Sequence, residues 1–153
     1  MTRVLFVCMG NICRSPAAEI VFRKMVDAAG IEDRIEIDSA GTIGYHMGNP
    51  PDSRMATHLE CRGYQVAGRA RKLVKEDLAT FDLVLVMDEE NLADAKALDP
   101  SGELHSKIRP FVGYLKIHSS SCVPDPYYGG DDGFAHVIDL LEDGCSTLLK
   151  EIS

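Results

Sequence analysis

The sequence predicts a single-domain, three-layer α/β fold: a twisted four-stranded parallel sheet with helices on both faces. Three observations predict it. Short apolar runs rich in β-formers alternate with segments of helical periodicity, glycine and proline punctuate the junctions, and 153 residues at 45% hydrophobic composition suit one buried core.

Arg3 to Cys8 (Arg-Val-Leu-Phe-Val-Cys) is an apolar run that stops just before a glycine, as a strand buried on both faces would. After the loop that follows, Ser15 and Pro16 read as helix N-cap and first helical residue. Ala18, Val21, Phe22, Met25, Val26 and Ala29 then recur at helical spacing until Gly30. Ile35 to Ala40 is a second strand closed by Gly41. The polar connection Gly48-Asn49-Pro50-Pro51 leads to a helix over Asp52 to Arg62, ended by Gly63. Phe81 to Met87 gives a third strand, and Asp88 caps a helix that runs to Leu98. Pro110 to Ile117 holds a last short strand or helix. The apolar stripe Phe134, Val137, Ile138, Leu141, Cys145, Leu148 and Leu149 defines a C-terminal amphipathic helix. In such sheets ligands bind beyond the carboxyl ends of the strands, and the loop after Cys8 falls there.

Composition narrows the function. A formal net charge of -8, with 24 acidic against 16 basic side chains, opposes binding to nucleic acid or to an anionic membrane surface. No stretch approaches the roughly 20 apolar residues of a membrane helix, and Met1-Thr2-Arg3 leads into a strand rather than a secretory signal. The expectation is a cytoplasmic protein, a monomer or weakly self-associating, with no cofactor and no metal. The cysteines, Cys8, Cys13, Cys61, Cys122 and Cys145, are odd in number and scattered, so they point to chemistry or packing rather than to a disulfide framework.

The chemistry gathers at Cys8-Met9-Gly10-Asn11-Ile12-Cys13-Arg14-Ser15. A Cys separated from an Arg by five residues is cheap, since five cysteines and nine arginines give about 0.3 accidental matches in a chain of this length. Context decides more. The Cys ends a buried strand, Gly10 permits a tight turn and the Arg directly precedes a helix start, so the amides of residues 9 to 15 can converge on one anion. That concavity suits a phosphate dianion and equally favours a thiolate over a thiol. A helix N-terminus and a nearby cation bring cysteines from about 8.5 down to about 3.5–7.5. Arg14 has the planar fork that grips two phosphoryl oxygens at once, which lysine lacks. The Walker pattern is absent, and Cys8 and Cys13 have no second ligand pair with which to hold a metal.

Cys8 to Ser15, followed by Pro16-Ala17-Ala18-Glu19, resembles the signature of the low-molecular-weight protein tyrosine phosphatases. The resemblance continues through Asp38-Ser39-Ala40-Gly41-Thr42, Gly48-Asn49-Pro50-Pro51-Asp52, Phe81-Asp82, Met87-Asp88 and Asp125-Pro126-Tyr127-Tyr128-Gly129. It covers the whole chain and implies one phosphatase domain over residues 1–153, acting on phosphotyrosine-containing proteins and releasing inorganic phosphate. Cys8 would be the nucleophile, forming a phosphocysteine, and Arg14 the clamp on the transition state.

A phenolate leaves poorly, because its conjugate acid has a pKa of about 10, so a proton donor at the ester oxygen is required. Asp125 is the candidate, in a Pro-Asp-Pro-Tyr-Tyr-Gly-Gly loop able to reach the site. The resemblance implies that it acts first as acid and then, as carboxylate, activates the hydrolytic water. Tyr127 and Tyr128 would flank a slot deep enough for a phenyl phosphate, and Tyr45 and His46 resemble the family's variable substrate rim. The resemblance further implies that Ser15 hydrogen-bonds the thiolate and that Asn11 takes a left-handed conformation held by Ser39 and usually by a histidine before an Ala-Arg pair. Here Gly68 stands at that histidine position, which predicts a less rigid loop. Cys13 matches the family's second loop cysteine, able to form a reversible disulfide with Cys8 or simply to pack behind the loop.

Two other functions compete. An arsenate reductase on the same fold would need additional cysteines, and none lies near Thr80 to Asp94. A module that binds phosphotyrosine without cleaving it would need neither Cys8 nor Asp125.

Overall fold

The structure, a computed structural model, describes residues 1–127 and 129–153. Four parallel strands, β1 (Thr2–Cys8), β2 (Ile35–Gly41), β3 (Leu83–Val86) and β4 (Ile108–Pro110), lie in the order β2-β1-β3-β4. Between and after them run α1 (Arg14–Ala28), α2 (Ser53–Cys61), α3 (Lys75–Thr80), α4 (Glu89–Ala97) and α5 (Asp131–Ile152). The predicted α/β class, parallel sheet and single domain are therefore what the structure has.

β1 sits between two neighbours, with Val7 opposite both Ala40 and Val86, and every residue from Val4 to Cys8 is buried. Successive strand residues point to opposite faces, so β1 feeds two cores at once. Val4, Phe6 and Cys8 join Val21, Phe22 and Ile138 on the face covered by α1 and α5, and Phe6 meets Phe22 and Phe111 edge-to-face at 5.8 and 6.2 Å. Leu5 and Val7 join Leu78, Phe81 and Ala95 on the face covered by α3 and α4. Each buried Val, Leu, Ile or Phe among these contributes roughly 1.5–3 kcal/mol by burial, which makes the sheet a stiff base for the loops at its carboxyl edge.

Three elements differ from expectation. The last strand is Ile108–Pro110, and the predicted Pro110–Ile117 segment begins only with a 3-10 turn, Phe111–Tyr114. Pro110 has no N–H to extend the ladder, so the strand stops there. The six-residue α3 escaped the sequence reading because it is too short to show a period; Asp77 stabilises its start by accepting from the Val74 N–H at 2.9 Å. The third difference lies at the start of α1 and belongs to the site.

The loop after β4 is pinned to α5 by Asp143. Its carboxylate accepts from the N–H groups of Lys116, Ile117 and His118 and from His118 Nδ1, at 2.8–3.2 Å. Burial alone would raise its pKa, but these bonds outweigh burial and bring it down to about 2. A carboxyl held below its unfolded value stabilises the fold fully above about pH 4, and the benefit is lost as pH falls through about 2. Asp143→Asn is accordingly expected to cost about 2 kcal/mol at neutral pH, a fall in Tm of about 4–8 °C. The gap should narrow towards pH 2 in thermal melts across pH; an unchanged Tm at pH 7 contradicts this account of the anchor. Among the described residues no helix is long and apolar enough to cross a membrane.

Candidate active site

The segment from Cys8 to Arg14 wraps one concavity at the carboxyl end of β1. α1 begins at Arg14, with Cys13 at the N-cap position and no side-chain cap, so the expected Ser15 cap and Pro16 start are displaced by two residues. The reason is chemical. Ser15 Oγ lies 3.0 Å from Cys8 Sγ, and the Ser15 N–H donates to the same sulfur at 3.4 Å. A hydroxyl engaged with the sulfur has no role left as a cap, and Pro16 remains tolerable in the first turn, where the N–H it lacks would have had no helical partner.

The left-handed residue in the loop is Asn11, at φ 57°, rather than Gly10. At Gly10 a Cβ would instead meet the His46 ring at 3.1 Å, so glycine there makes room for the rim. Gly41 matters as much. A Cβ on it would sit 2.7 Å from Met9 O, a distance real Cβ atoms do not show, so the loop can lie against the end of β2 only because residue 41 has no side chain.

Asn11 is held from three directions. Its Oδ1 accepts from the Arg71 N–H at 2.9 Å, and its Nδ2 donates to Ser15 Oγ at 2.7 Å and to Ser39 Oγ at 3.0 Å. The Arg71 amide is delivered by the strand-like stretch beside β2, where Gly41 N–H donates to Arg71 O and Leu73 N–H to Gly41 O. At position 68, φ is +103°, a conformation that a histidine or any other L side chain would strain. The expected looser loop thus meets a different set of contacts: the Arg71 amide takes one side of Asn11, and Ser39 Oγ donates onward to Glu19 Oε1 at 2.7 Å.

Arg14 is 98% buried, yet its guanidinium reaches the cavity. Nη1 donates to Asp88 Oδ2 at 2.6 Å and to Val123 O at 3.0 Å, and Nη2 lies 3.6 Å from Asp125 Oδ2. Burial alone would lower its pKa, but Cys8, Asp88 and Asp125 outweigh burial and raise it, so the side chain stays charged. Asp88 serves two elements, since its Oδ1 also accepts from the Asn91 N–H at 2.8 Å to cap α4. Sequence reasoning found the cap and missed the contact with Arg14. Its signal is positional: Asp88 follows β3, and β3 proves to be the neighbour of β1.

The Asp125 loop returns to the sheet through Val123, whose N–H donates to Met87 O at 2.8 Å. Asp125 Oδ1 accepts from the Tyr127 N–H at 3.0 Å, and its side chain is 30% exposed towards the cavity. Arg54, a residue the sequence reading did not single out, holds this loop from α2. It donates to Tyr127 O at 2.9 Å, lies 5.3 Å from the Tyr127 ring centre and pairs with Asp52 at 3.2 Å.

The resulting cavity has a volume of about 490 Å³. Cys8 and Arg14 form its floor, Asp125 one edge, and Ile43, Tyr45, His46 and Tyr127 its apolar and aromatic wall. Tyr45 meets His46 edge-on at 4.8 Å, and His46 lies 6.1 Å from the Tyr127 ring. Tyr128, expected at the same rim, lies outside the described residues. Cys13 also lines the cavity; burial, with Asp52 and Cys8 nearby, pushes its thiol pKa up, so it stays protonated.

Residues 3–153 match the family profile described as low molecular weight phosphotyrosine protein phosphatase. The chain belongs to that family. It is 44% identical to the low molecular weight phosphotyrosine protein phosphatase of Schizosaccharomyces pombe, over 99% of this chain and 97% of that one. Against the human protein of the same description it is 40% identical, over 97% and 94% of the two chains. The crystal structure of a protein tyrosine phosphatase from Entamoeba histolytica superposes with a TM-score of 0.96 at 41% identity, covering 99% of this chain and 97% of that one. Membership of the phosphotyrosine phosphatase family accords with a cavity whose depth is walled by aromatic side chains.

Proposed function

We propose that residues 1–153 work as one protein tyrosine phosphatase domain, which hydrolyses phosphotyrosine in proteins through a phosphocysteine. The observation that carries this reading is the convergence of Cys8 Sγ, the Arg14 guanidinium and the Asp125 carboxyl on one aromatic-walled cavity.

In the first step the Cys8 thiolate attacks phosphorus, an S–P bond forms and the P–O bond to the tyrosyl oxygen breaks. Protonated Asp125 gives its proton to that oxygen, so tyrosine leaves as a neutral phenol. The amides of Met9, Gly10, Asn11, Ile12, Cys13 and Arg14 surround the three non-bridging oxygens while that of Ser15 faces the Cys8 sulfur, and Arg14 adds a bidentate clamp already aligned by Asp88. In the second step Asp125, now a carboxylate, takes a proton from water as its oxygen attacks phosphorus. The S–P bond breaks, the Cys8 thiolate leaves and inorganic phosphate departs. Asn11, Ser39 and Ser15 hold the loop in the conformation both steps use. Tyr45, His46 and Tyr127 contact the phenyl ring, and a phosphoserine, shorter and without a ring, leaves that wall unfilled. Where a peroxide oxidises Cys8 to the sulfenic acid, the Cys13 thiol condenses with it, an S–S bond forms and the sulfenic oxygen leaves as water.

Purified protein should hydrolyse para-nitrophenyl phosphate and a phosphotyrosyl peptide steadily, with kcat/KM for a matched phosphoserine peptide lower by about 10²-fold or more. Equal rates on the two peptides, or a single turnover that stops, speak against this function.

A further inference from the structure

Behind the phosphate loop a file of hydrogen bonds runs from the nucleophile to a carboxylate. The Arg71 N–H can only donate, so its 2.9 Å bond to Asn11 Oδ1 fixes the carboxamide and turns both Nδ2 hydrogens towards Ser15 Oγ and Ser39 Oγ. An ionised carboxylate can only accept, so the 2.7 Å contact between Ser39 Oγ and Glu19 Oε1 places the Ser39 proton on the Glu19 side. The Ser39 lone pairs then remain open to Asn11. Ser15, which receives from Asn11, keeps its own proton for Cys8 Sγ at 3.0 Å in preference to Ala40 O at 3.4 Å.

Glu19 is well placed to end this file. Its side chain is 20% exposed, its second oxygen accepts from Arg23 Nη2 at 2.9 Å, and Arg23 is itself tied to Ile37 O at 3.1 Å. Glu19, Ser39, Asn11 and Gly68 line one small recess behind the loop. Gly68 puts no side chain into that recess, and the carboxylate meets Ser39 directly.

We propose that Glu19 is a positioning residue for the phosphatase reaction: by taking the Ser39 proton its carboxylate keeps the Ser39 lone pairs open to Asn11 Nδ2 and, with the Arg71 amide, completes the hold on Asn11 that leaves Ser15 donating to the Cys8 sulfur as it leaves phosphorus. This rests on the two-step reading above. The Ser15 proton matters most when negative charge returns to sulfur, in the hydrolysis of the phosphocysteine, so the second step should carry the effect. Without the carboxylate, Ser39 loses the acceptor that fixes its hydroxyl, and Asn11 keeps its left-handed backbone on looser anchors.

The test compares Glu19→Ala, Glu19→Gln, Ser39→Ala and the Glu19→Ala/Ser39→Ala double variant on para-nitrophenyl phosphate. Glu19→Ala should lower kcat by about five- to tenfold and kcat/KM by no more than about twofold, with KM falling in step and a full burst of phenol preserved. Glu19→Gln, whose amide oxygen can accept the same bond, should stay within about twofold of the parent. Ser39→Ala should reproduce the kcat loss, and the double variant should lose no more than either single one. A Glu19→Ala kcat within twofold of the parent overturns the proposal, as do equal losses in Glu19→Gln and additive losses in the double variant. If Glu19→Ala does not fold, Glu19→Leu, of similar size but unable to accept a hydrogen bond, takes its place with the same expected split between kcat and KM, and a Glu19→Leu kcat within twofold of the parent overturns the proposal. An inactive parent overturns the phosphatase reading together with this one; an active parent with an unaffected Glu19→Ala overturns this one alone.

Discussion

Cys8→Ser is expected to lower turnover of any aryl phosphate by at least about 10⁴-fold while the protein still binds a phosphotyrosyl peptide. A serine hydroxyl does not ionise near neutral pH, so the variant lacks the nucleophile from which the phosphoenzyme forms. The rest of the phosphate site does not depend on the sulfur. Arg14 remains fixed by Asp88 at 2.6 Å and by Val123 O at 3.0 Å, and Asn11 by Arg71, Ser15 and Ser39. Binding should even improve slightly, because an anionic ligand no longer meets a thiolate at the floor of the cavity. Calorimetric titration with a non-hydrolysable phosphotyrosine mimic reads the affinity, and a phenol-release assay reads the turnover. Residual turnover above about one part in a hundred would mean that water, and not Cys8, attacks phosphorus.

The parts of this arrangement legible in the sequence are those set by neighbours along the chain. The β1 run, the loop after Cys8 and the helix that follows are local, and their order alone places Cys8 and Arg14 on one concavity. Asp125 is different in kind. Its chemical role could be required from the leaving group's basicity, but no pattern in its own segment says that Val123 pairs with Met87 and swings the loop over the floor. The contact of Asp88 with Arg14 and the part of Arg54 were missed for a related reason. One reaches Arg14 only because β3 lies beside β1, and the other reaches Tyr127 only because α2 stands next to the Asp125 loop. Ser15 shows the converse failure. Ser before Pro is a sound cap signal, and a sulfur seven residues upstream competes for the hydroxyl. At Gly68 a missing side chain suggested a missing support; the contacts of the Arg71 amide with Asn11 and of the Glu19 carboxylate with Ser39 were not visible in sequence.

For Asp125→Ala, kcat/KM on a phenol of ordinary basicity should fall by about 10²–10³-fold, and the loss should shrink towards about tenfold or less as the leaving phenol becomes more acidic. A weakly basic phenolate departs without a proton, so the acid has less to contribute. The ratio kcat/KM is the quantity to follow, because it reports only the steps up to phenol release. The same carboxyl also serves as base in the second step, and its absence there lowers kcat equally for every leaving group. Removing the side chain also strips the acceptor from the Tyr127 N–H and the 3.6 Å charge partner from Arg14, so a purely structural loss has to be separated. Asp125→Asn does this, since its amide oxygen can keep the Tyr127 bond but its amide cannot give up a proton at neutral pH. The two variants should therefore share one dependence on leaving-group acidity. A loss in kcat/KM equal for all phenols, or one rescued by Asn, would remove Asp125 from the acid's place and leave it as a brace for the loop.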